Sequence, residues 1–333
     1  MRYLIIGAGA VGGSVGGRLA EAGHDVVLVA RGAHHAALRE HGLRLTTPDG
    51  TRVHRVPAVR GPAELGPLRP DDVLFLAVKI QDAEAALAVW GPHPVAGGTT
   101  AAEALPLVCA QNGVEGERLA LRRFARVYGC CVWLPSTYVE PGAVSAAGAP
   151  YTGMLHLGRY PAGTDDTVRG IAADLAGAKL LAPVTANVLR WKYGKLLGNL
   201  GNAVEALTGP LRDDAALDLC ARARAEGRAV FAAAGIEAVG EREQRETRGD
   251  LVTLEPLDGV ERGGGSSWQS LIRGTGTIEA DHLNGEIVLL GRLHGVPTPV
   301  NALLQRLANT FAQERRAAGS MPVAELARLV KEA

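Results

Sequence analysis

The chain lacks the features that mark a protein for a membrane, a polyanion or a metal ion. Its 333 residues include 35 basic and 35 acidic side chains, and this balance leaves no surplus charge for nucleic acid or an anionic membrane. No apolar run reaches the roughly 18 residues that span a bilayer. The four cysteines show neither CxxC nor Cys/His metal spacing. We therefore expect a cytoplasmic, reduced protein without a metal site and without nucleic-acid or membrane partners.

A glycine-rich turn lies almost at the N-terminus, which also leaves no room for a signal peptide. Gly7, Gly9 and Gly12 follow an apolar strand and precede a helix-like stretch, and a second strand is expected over residues 25–30. In this arrangement the first glycine permits a tight turn, the second admits a pyrophosphate, and the third lets helix and strand pack closely. The helix N-terminus adds amides and partial positive charge. The alternative is a glycine-rich turn of some other α/β protein. The residues predicted to contact a dinucleotide are Gly7, Gly9, Ala10, Val11 and Gly12.

Basic residues follow two of the predicted strands. Where this unit binds NAD, an acidic residue after the second strand bonds the ribose 2′-hydroxyl. Here that strand ends in Arg31, and no acid competes for the position in the sequence. Arg31 therefore predicts a 2′-phosphate and hence NADP(H), the alternative being a solvated arginine. Lys79 follows the buried-looking run 73–78, so it should emerge at the strand edge where ligands bind. Its alternative is a surface lysine.

The pattern of predicted elements changes near residue 185. Before it, strands and helices alternate, which indicates a parallel sheet; after it, the pattern is helical. The predicted fold class is α/β, with an N-terminal Rossmann-type doubly wound domain over 1–185 that binds NADP. An all-helical C-terminal domain over 186–333 follows, for substrate and dimerisation. Its apolar surface is compatible with a homodimer.

Some local features are also predicted. A hairpin joins strands 43–47 and 53–59. One long helix covers Val188 to Leu207, and another covers Thr277 to His294. The charged, glycine-bearing stretch from Gly240 to Gly265 is expected to be a mobile connection.

Three polar side chains are predicted to share a face of the long helix. At about 100° per residue, Asn199 lies about 40° from Lys195, and Asn202 lies about 20° to the other side. A lysine beside two amides can donate a proton and stabilise a developing alkoxide, while the amides orient a carboxylate or hydroxyl. A solvated lysine with two surface amides is the alternative. Lys192 remains a rival proton donor.

Three further residues complete the set of candidates. Ser267 follows a run of glycines that suits a loop closing on a ligand, and Glu279 begins the next predicted helix. Glu279 can bind a substrate hydroxyl and hold the lysine ammonium, although acids favour first helical turns in any case. Asn112 ends a Rossmann strand, where it can face the nicotinamide ribose or the substrate. The alternative for Asn112 is an ordinary Asn-Gly turn.

Over essentially its whole length the chain resembles the ketopantoate reductase family. The resemblance rests on a spaced combination of motifs. These are GAGAVG at 7–12, Arg31, Val78-Lys79, QNG at 111–113, KLLGN at 195–199, Ser266-Ser267, and Ile278-Glu279 leading into Leu283-Asn284-Gly285.

The resemblance implies NADPH-dependent reduction of a 2-oxo acid to a 2-hydroxy acid. Lys195 would be the general acid and Asn199 a substrate ligand. Ser267 would hold the carboxylate region of the substrate, and Glu279 would bind its hydroxyl. Asn112 would lie between cofactor and substrate. Arg31 and Lys79 would bind the phosphate end of NADPH. Glu279, a catalytic residue, and Asn112 would also contact the cofactor.

The sequence departs from the family pattern on the side that faces the substrate. A second amide tends to follow the first by four residues, but that position is Ala203, and Asn202 stands one residue earlier. Trp191 is also directly followed by Lys192 instead of the family-like lysine. Ketopantoate is the leading substrate, and reduction of another 2-oxo acid or ketone is the alternative. A third hypothesis is a sensor that binds NADP without catalysis, which would have no need of a proton donor.

Overall fold

The computed structural model describes residues 1–257, 259 and 264–332, and within them the chain forms two compact units. The first contains Met1–Trp191 and a later segment that begins at Glu241. The second contains Lys192–Gly240 and the described residues from Gly264 onward. The predicted boundary between residues 185 and 186, and the roles given to its two sides, stay predictions.

The first unit holds the β-strands and the N-terminal helices. The strands are β1 (Arg2–Ile6), β2 (Asp25–Val29), β3 (Leu43–Thr47), β4 (Gly50–His54), β5 (Ala58–Val59), β6 (Asp72–Leu76), β7 (Pro94–Val95), β8 (Thr99–Thr100), β9 (Leu107–Cys109), β10 (Val127–Trp133), β11 (Ser136–Glu140), β12 (Ala143–Ala146), β13 (Gly148–Pro150), β14 (Gly153–Arg159), β15 (Leu180–Leu181) and β16 (Val252–Leu254). The helices are α1 (Ala10–Glu21), α2 (Gly32–His41), α3 (Ala83–Trp90), α4 (Ala101–Ala104), α5 (Glu115–Leu121) and α6 (Asp166–Gly177).

The main sheet is a doubly wound sheet, as the alternating pattern predicts. Its strand order is β15-β14-β10-β9-β6-β1-β2-β5, and all neighbours are parallel except β10 and β14. Every residue of β1 is buried, because helices cover both faces of such a sheet. The chain runs outward from β1 to β2 on one side and to β6 on the other. This reversal creates a crevice at the carboxyl ends of β1 and β6, where ligands bind in open α/β sheets.

A smaller sheet packs on the opposite side of α1. Its order is β11-β12-β3-β4. Two glycines of α1 make the close approach possible. A Cβ added at Gly13 would lie 3.0 Å from the Val144 side chain of β12, and one at Gly17 would lie 2.9 Å from that of Leu45 in β3. Helix α1 is thus held between two sheets, and the turn that precedes it is fixed from both sides.

The remaining helices build the second unit, except that α7 begins in the first unit and α10 belongs to it entirely. They are α7 (Val188–Asn199), α8 (Asn202–Thr208), α9 (Asp214–Ala233), α10 (Glu241–Arg248), α11 (Ser266–Ile272), α12 (Asn284–His294), α13 (Pro299–Gln313) and α14 (Val323–Glu332). A 3₁₀ helix, Glu279–His282, precedes α12. No helix in the described ranges is both long and apolar enough to cross a membrane.

Several local predictions were wrong. The hairpin pairs β3 with β4, whereas residues 58–59 join the main sheet beside β2. The long helix breaks after Asn199, and the helix predicted from Thr277 to His294 is a 3₁₀ turn followed by α12. The stretch predicted as a mobile connection contains α10 and β16, and β16 pairs with β13. Its residues 258 and 260–263, including Gly263 of the glycine run, lie outside the described residues.

Candidate active site

In the glycine turn after β1, packing within the protein explains two of the three glycines, and the third borders open space. Gly7 has φ +100°, a left-handed conformation that favours glycine, and a Cβ there would lie 2.7 Å from the Val78 amide nitrogen. A Cβ at Gly12 would collide with the Gly7 carbonyl oxygen. A Cβ at Gly9, in contrast, would meet no atom of the described chain within 4 Å, and the backbone of Gly9 is extended. Packing therefore requires Gly7 and Gly12, while the open space at Gly9 is available to a phosphate group.

The N-terminus of α1 faces this space. Gly9 is the N-cap of α1 and has no side chain with which to cap the helix. The first turn contains no acidic residue. Ala10 and Val11 are only partly buried. Free amides and the helix dipole at such a terminus favour an anion. The turn thus fits the pyrophosphate of a dinucleotide. That Gly7, Gly9, Ala10, Val11 and Gly12 hold it stays a prediction.

The segment after β6 lies against the same turn. A Cβ at Gly12 would be 3.0 Å from the Cβ of Ala77, and Gly7 borders Val78. Lys79 follows directly and is half-buried, with polar interactions of its own. Its position at the carboxyl end of β6 agrees with the sequence prediction for the place of this residue. Its role in holding NADPH stays a prediction.

Arg31 lies at the end of β2 and is largely exposed, with 77% of its side chain accessible. The sequence has no acid at this position, as predicted, but the fold brings one near it. Its Nη2 lies 3.5 Å from Oδ1 of Asp82, which follows β6. The sequence could not reveal this pair, because β2 and β6 are separated by β1 in the sheet and only their following loops approach each other. Such exposed pairs contribute little, about 0–1 kcal/mol, so a phosphate could displace Asp82.

Asn112 follows β9 in a tight turn. Gly113 has φ +75°, and Asn112 is half-buried. The preceding Gln111 donates a hydrogen bond from Nε2 to the Val78 carbonyl at 3.1 Å. Gln111 thereby joins the loop after β9 to the loop after β6 and places Asn112 at the ligand-binding edge. Sequence reasoning overlooked this role of Gln111.

In the second unit, Lys195 and Asn199 lie four residues apart on α7, and so on one helix face. Lys195 is half-buried, whereas Lys192 is only 3% exposed; both have polar interactions. The Nδ2 of Asn199 is buried and has no hydrogen-bond partner among the described residues. Because a buried donor without a partner costs about 1–3 kcal/mol, this amide is suited to an oxygen supplied by a ligand.

Asn202 does not continue that helix face. The helix ends at Asn199, and Asn202 begins α8, so the predicted angle between Asn202 and Lys195 does not apply. The Oδ1 of Asn202 instead lies near Gly265, and a Cβ added to Gly265 would be 3.8 Å from it. Glu205, one turn further along α8, accepts a hydrogen bond from the Gly265 N–H at 2.8 Å. Asn202 is thus brought to the start of α11.

The serines lie in the first turn of α11, not in a loop as the glycine run predicted. Ser267 is 3% exposed. The Oγ of Ser266 is buried without a partner among the described residues. The structure therefore brings Asn202 close to Gly265, the residue before the serine pair. Glu205, which fixes this arrangement, was missed; its spacing of three residues from Asn202 was the only signal available.

Glu279 begins the 3₁₀ helix before α12 and is 3% exposed. The end of α12 next to it is tied to the end of α7 by a buried amide. Asn284, 1% exposed, donates from Nδ2 to the Leu200 carbonyl at 3.1 Å and to Oδ1 of Asn301 at 3.0 Å. Asn301 in turn donates to Glu226, at 2.7 Å. This network fixes Leu200, the residue after Asn199, relative to the turn that carries Glu279.

Comparison with known proteins agrees with these two units. Family models described as "Ketopantoate reductase PanE/ApbA" and "Ketopantoate reductase PanE/ApbA C terminal" match residues 3–162 and 187–312. A 2-dehydropantoate 2-reductase of Mesorhizobium japonicum is 31% identical, covering 92% of this chain and 98% of its own length. The crystal structure of a PanE/ApbA family ketopantoate reductase from Ralstonia eutropha JMP134 superposes with a TM-score of 0.76 at 28% identity, covering 95% of this chain and all of that one.

A more distant neighbour has the same fold. The ternary structure of D-mandelate dehydrogenase with NADH and anilino(oxo)acetate gives a TM-score of 0.78 at 21% identity, over 95% of this chain and all of that one. The match to both family models, one over the Rossmann unit and one over the helical unit, is decisive for the assignment. The chain belongs to the ketopantoate reductase family of oxidoreductases.

Proposed function

We propose that the chain reduces a 2-oxo acid to a 2-hydroxy acid with NADPH, and that the substrate is 2-dehydropantoate, which gives pantoate. The observation that carries the proposal is the buried Nδ2 of Asn199, which lies one helical turn from Lys195 and has no hydrogen-bond partner among the described residues. It pairs an unused hydrogen-bond donor with a side chain able to give a proton. The name of the relative from Mesorhizobium japonicum supports the same reaction.

When bound, NADPH supplies a hydride for the keto carbon of the substrate. Lys195 protonates the keto oxygen and stabilises the negative charge that develops on it. Asn199 donates to a substrate oxygen, and Ser267 holds the carboxylate region, with Asn202 near the start of the same helix. Glu279 accepts from the hydroxyl. Its burial keeps this carboxylate away from bulk water, which strengthens its interactions.

The choice of NADPH over NADH rests on Arg31 and Lys79. Both lie beyond the carboxyl ends of strands, and Arg31 is exposed enough to meet a 2′-phosphate. Arginine suits phosphate because its planar guanidinium offers paired donors. The D-mandelate dehydrogenase with the same fold has NADH bound, so the preference is a property to be measured on this chain.

A steady-state assay tests the proposal. NADPH and NADH are each offered with 2-dehydropantoate, with smaller 2-oxo acids and with an aryl 2-oxo acid, and oxidation of the coenzyme is followed. We expect the highest kcat/KM for NADPH with 2-dehydropantoate. No substrate-dependent oxidation with any 2-oxo acid would contradict the proposal.

A second candidate is the same chemistry on another 2-oxo acid. The observation that favours it is Ala203, which stands where a second substrate-facing amide is expected and is itself buried at 3% exposure. A higher kcat/KM for another member of the substrate panel would establish this alternative. Coenzyme binding without any turnover would instead indicate the sensor. A homodimer also remains a prediction, to be measured by sedimentation. One solved structure with the same fold is that of a dimeric ketopantoate reductase from Staphylococcus aureus.

A further inference from the structure

His34 connects the glycine turn to the small sheet. Its Nδ1 accepts a hydrogen bond from the Gly142 N–H at 2.9 Å, and its Nε2 lies 2.7 Å from the Ala8 carbonyl oxygen. A neutral imidazole has one protonated nitrogen, so an accepting Nδ1 places the proton on Nε2. Nε2–H therefore donates to Ala8. Burial lowers the pKa of His34, which favours this neutral form.

The bond to Ala8 sets the direction of the amide that follows. The Ala8 N–H already donates to the Val29 carbonyl at 3.0 Å, so Ala8 is held on both sides. In a planar trans peptide, the C=O and the next N–H point in opposite directions. Because the Ala8 carbonyl points towards His34, the Gly9 N–H points away from it. Gly9 is also the glycine beside which the described chain leaves open space.

The support behind His34 is rigid. Gly142 lies in the turn between β11 and β12, and its carbonyl accepts a hydrogen bond from the Arg44 N–H at 2.8 Å. Tyr138 packs edge-on against the imidazole, with ring centroids 5.1 Å apart. The small sheet, which packs on α1, thus fixes the imidazole of His34, and His34 fixes the glycine turn through Ala8.

We propose that His34 is a positioning residue that presets the Gly9 amide for the cofactor pyrophosphate without touching the nucleotide itself. Presetting a donor removes the cost of ordering it on binding, and so raises affinity. This inference rests on the proposed function in one respect, namely that a dinucleotide binds at this turn. The pyrophosphate is common to NADPH and NADH, so His34 acts on both coenzymes equally. Arg31 acts on NADPH alone.

Three variants test this role, with nicotinamide fluorescence as the measure of Kd for NADPH and NADH. H34F keeps an aromatic ring but loses both hydrogen bonds, and we expect both Kd values to rise about tenfold, the effect of roughly one lost hydrogen bond. H34Q keeps an amide N–H that can reach Ala8, and should bind within about threefold of wild type, because one bond survives. H35F is the matched control. His35 is the adjacent residue, 3% exposed, and its Nε2 has no partner among the described residues, so both Kd values should stay unchanged.

The outcomes separate this inference from the proposed function. Wild-type affinity in folded H34F, a loss confined to NADPH, or equal losses in H34F and H34Q would each overturn the role of His34 while leaving the reductase intact. A wild-type protein that binds neither coenzyme would overturn both. Should H34F fail to fold, H34N replaces it with the same expectation, because its shorter side chain cannot reach Ala8.

Discussion

Arg31 allows the coenzyme preference to be tested by a charge change at one exposed side chain. The guanidinium is 77% accessible and is paired with Asp82 at 3.5 Å. Replacing Arg31 with Ala removes its charge-assisted interaction with a 2′-phosphate, taken as one bond of about 1.5–3 kcal/mol. That loss corresponds to an increase of about 10- to 150-fold in the Kd for NADPH. The Kd for NADH should stay within about twofold, because NADH has no phosphate there.

Asp82 supplies the opposite perturbation. A phosphate that binds Arg31 must displace this carboxylate, and an exposed pair contributes about 0–1 kcal/mol. D82N should therefore lower the Kd for NADPH by at most about fivefold and leave NADH unchanged. The two variants move the same equilibrium in opposite directions, which no general effect on folding would do.

The assay is a fluorescence titration of each variant with both coenzymes, at low and high salt. R39A is the control, since Arg39 is an exposed basic residue near the end of α2, the helix that begins directly after Arg31, and its loss changes the net charge equally. The advantage of wild type over R31A should shrink as salt rises, because exposed charges are screened. Equal weakening of NADPH and NADH in R31A, or no weakening of either, would refute the phosphate role of Arg31.

Three other predictions follow from the geometry. K195A should lower kcat by about 10²- to 10⁴-fold with the Kd for NADPH unchanged; a larger loss in folded K192A would assign the proton donor to Lys192. N284L, which leaves the Leu200 carbonyl and Asn301 without their donor, should lower the melting temperature and raise the KM for the keto acid, and wild-type KM would contradict the link between α7 and Glu279. Burial lowers the pKa of His156 to about 4. Unfolded His156 therefore takes up a proton below about pH 6.5, while the folded ring stays neutral down to about pH 4. The folded state thus has its full stability above pH 6.5 and loses up to about 3 kcal/mol of it between pH 6.5 and 4. H156F keeps the stacking on Trp191, and melting temperatures from pH 4 to 8 should fall less steeply for it than for wild type.

The fold class could be predicted from the sequence because its signals are local. A fully buried strand, a glycine turn and a helix follow one another within the first 21 residues, and each is specified by its own residues. The confirmed doubly wound sheet rests on these signals, whereas the confirmed family assignment rests on the spaced combination of motifs along the whole chain. What failed was the continuity of the long helix. Periodicity favours one helix through residues 199–202, but the Leu200 carbonyl bonds to Asn284, 84 positions later. A helical wheel describes only one helix, so it cannot predict this contact with a distant segment.

The same limit explains the candidate site. The sequence identified side chains with suitable chemistry, but not the residues that hold them. Gln111, Glu205 and Asn284 act through backbone groups of distant segments, so their importance depends on the fold. The Asp82 partner of Arg31 was missed for a related reason. Charge at a strand end can be read from the sequence, whereas the loop that approaches it cannot.

Unused features of the structure point to a ligand only where they coincide with suitable chemistry. Buried polar atoms without partners among the described residues include Nε2 of His35 and His156 as well as Nδ2 of Asn199. His156 lies within a β-strand of the main sheet and stacks on Trp191. Its low pKa keeps the imidazole neutral. Asn199 has Lys195 one turn away, and Gly9 has the N-terminus of α1. That coincidence, and not burial alone, is why we propose substrate binding at Asn199 and coenzyme binding at Gly9, and propose no ligand at the other buried atoms.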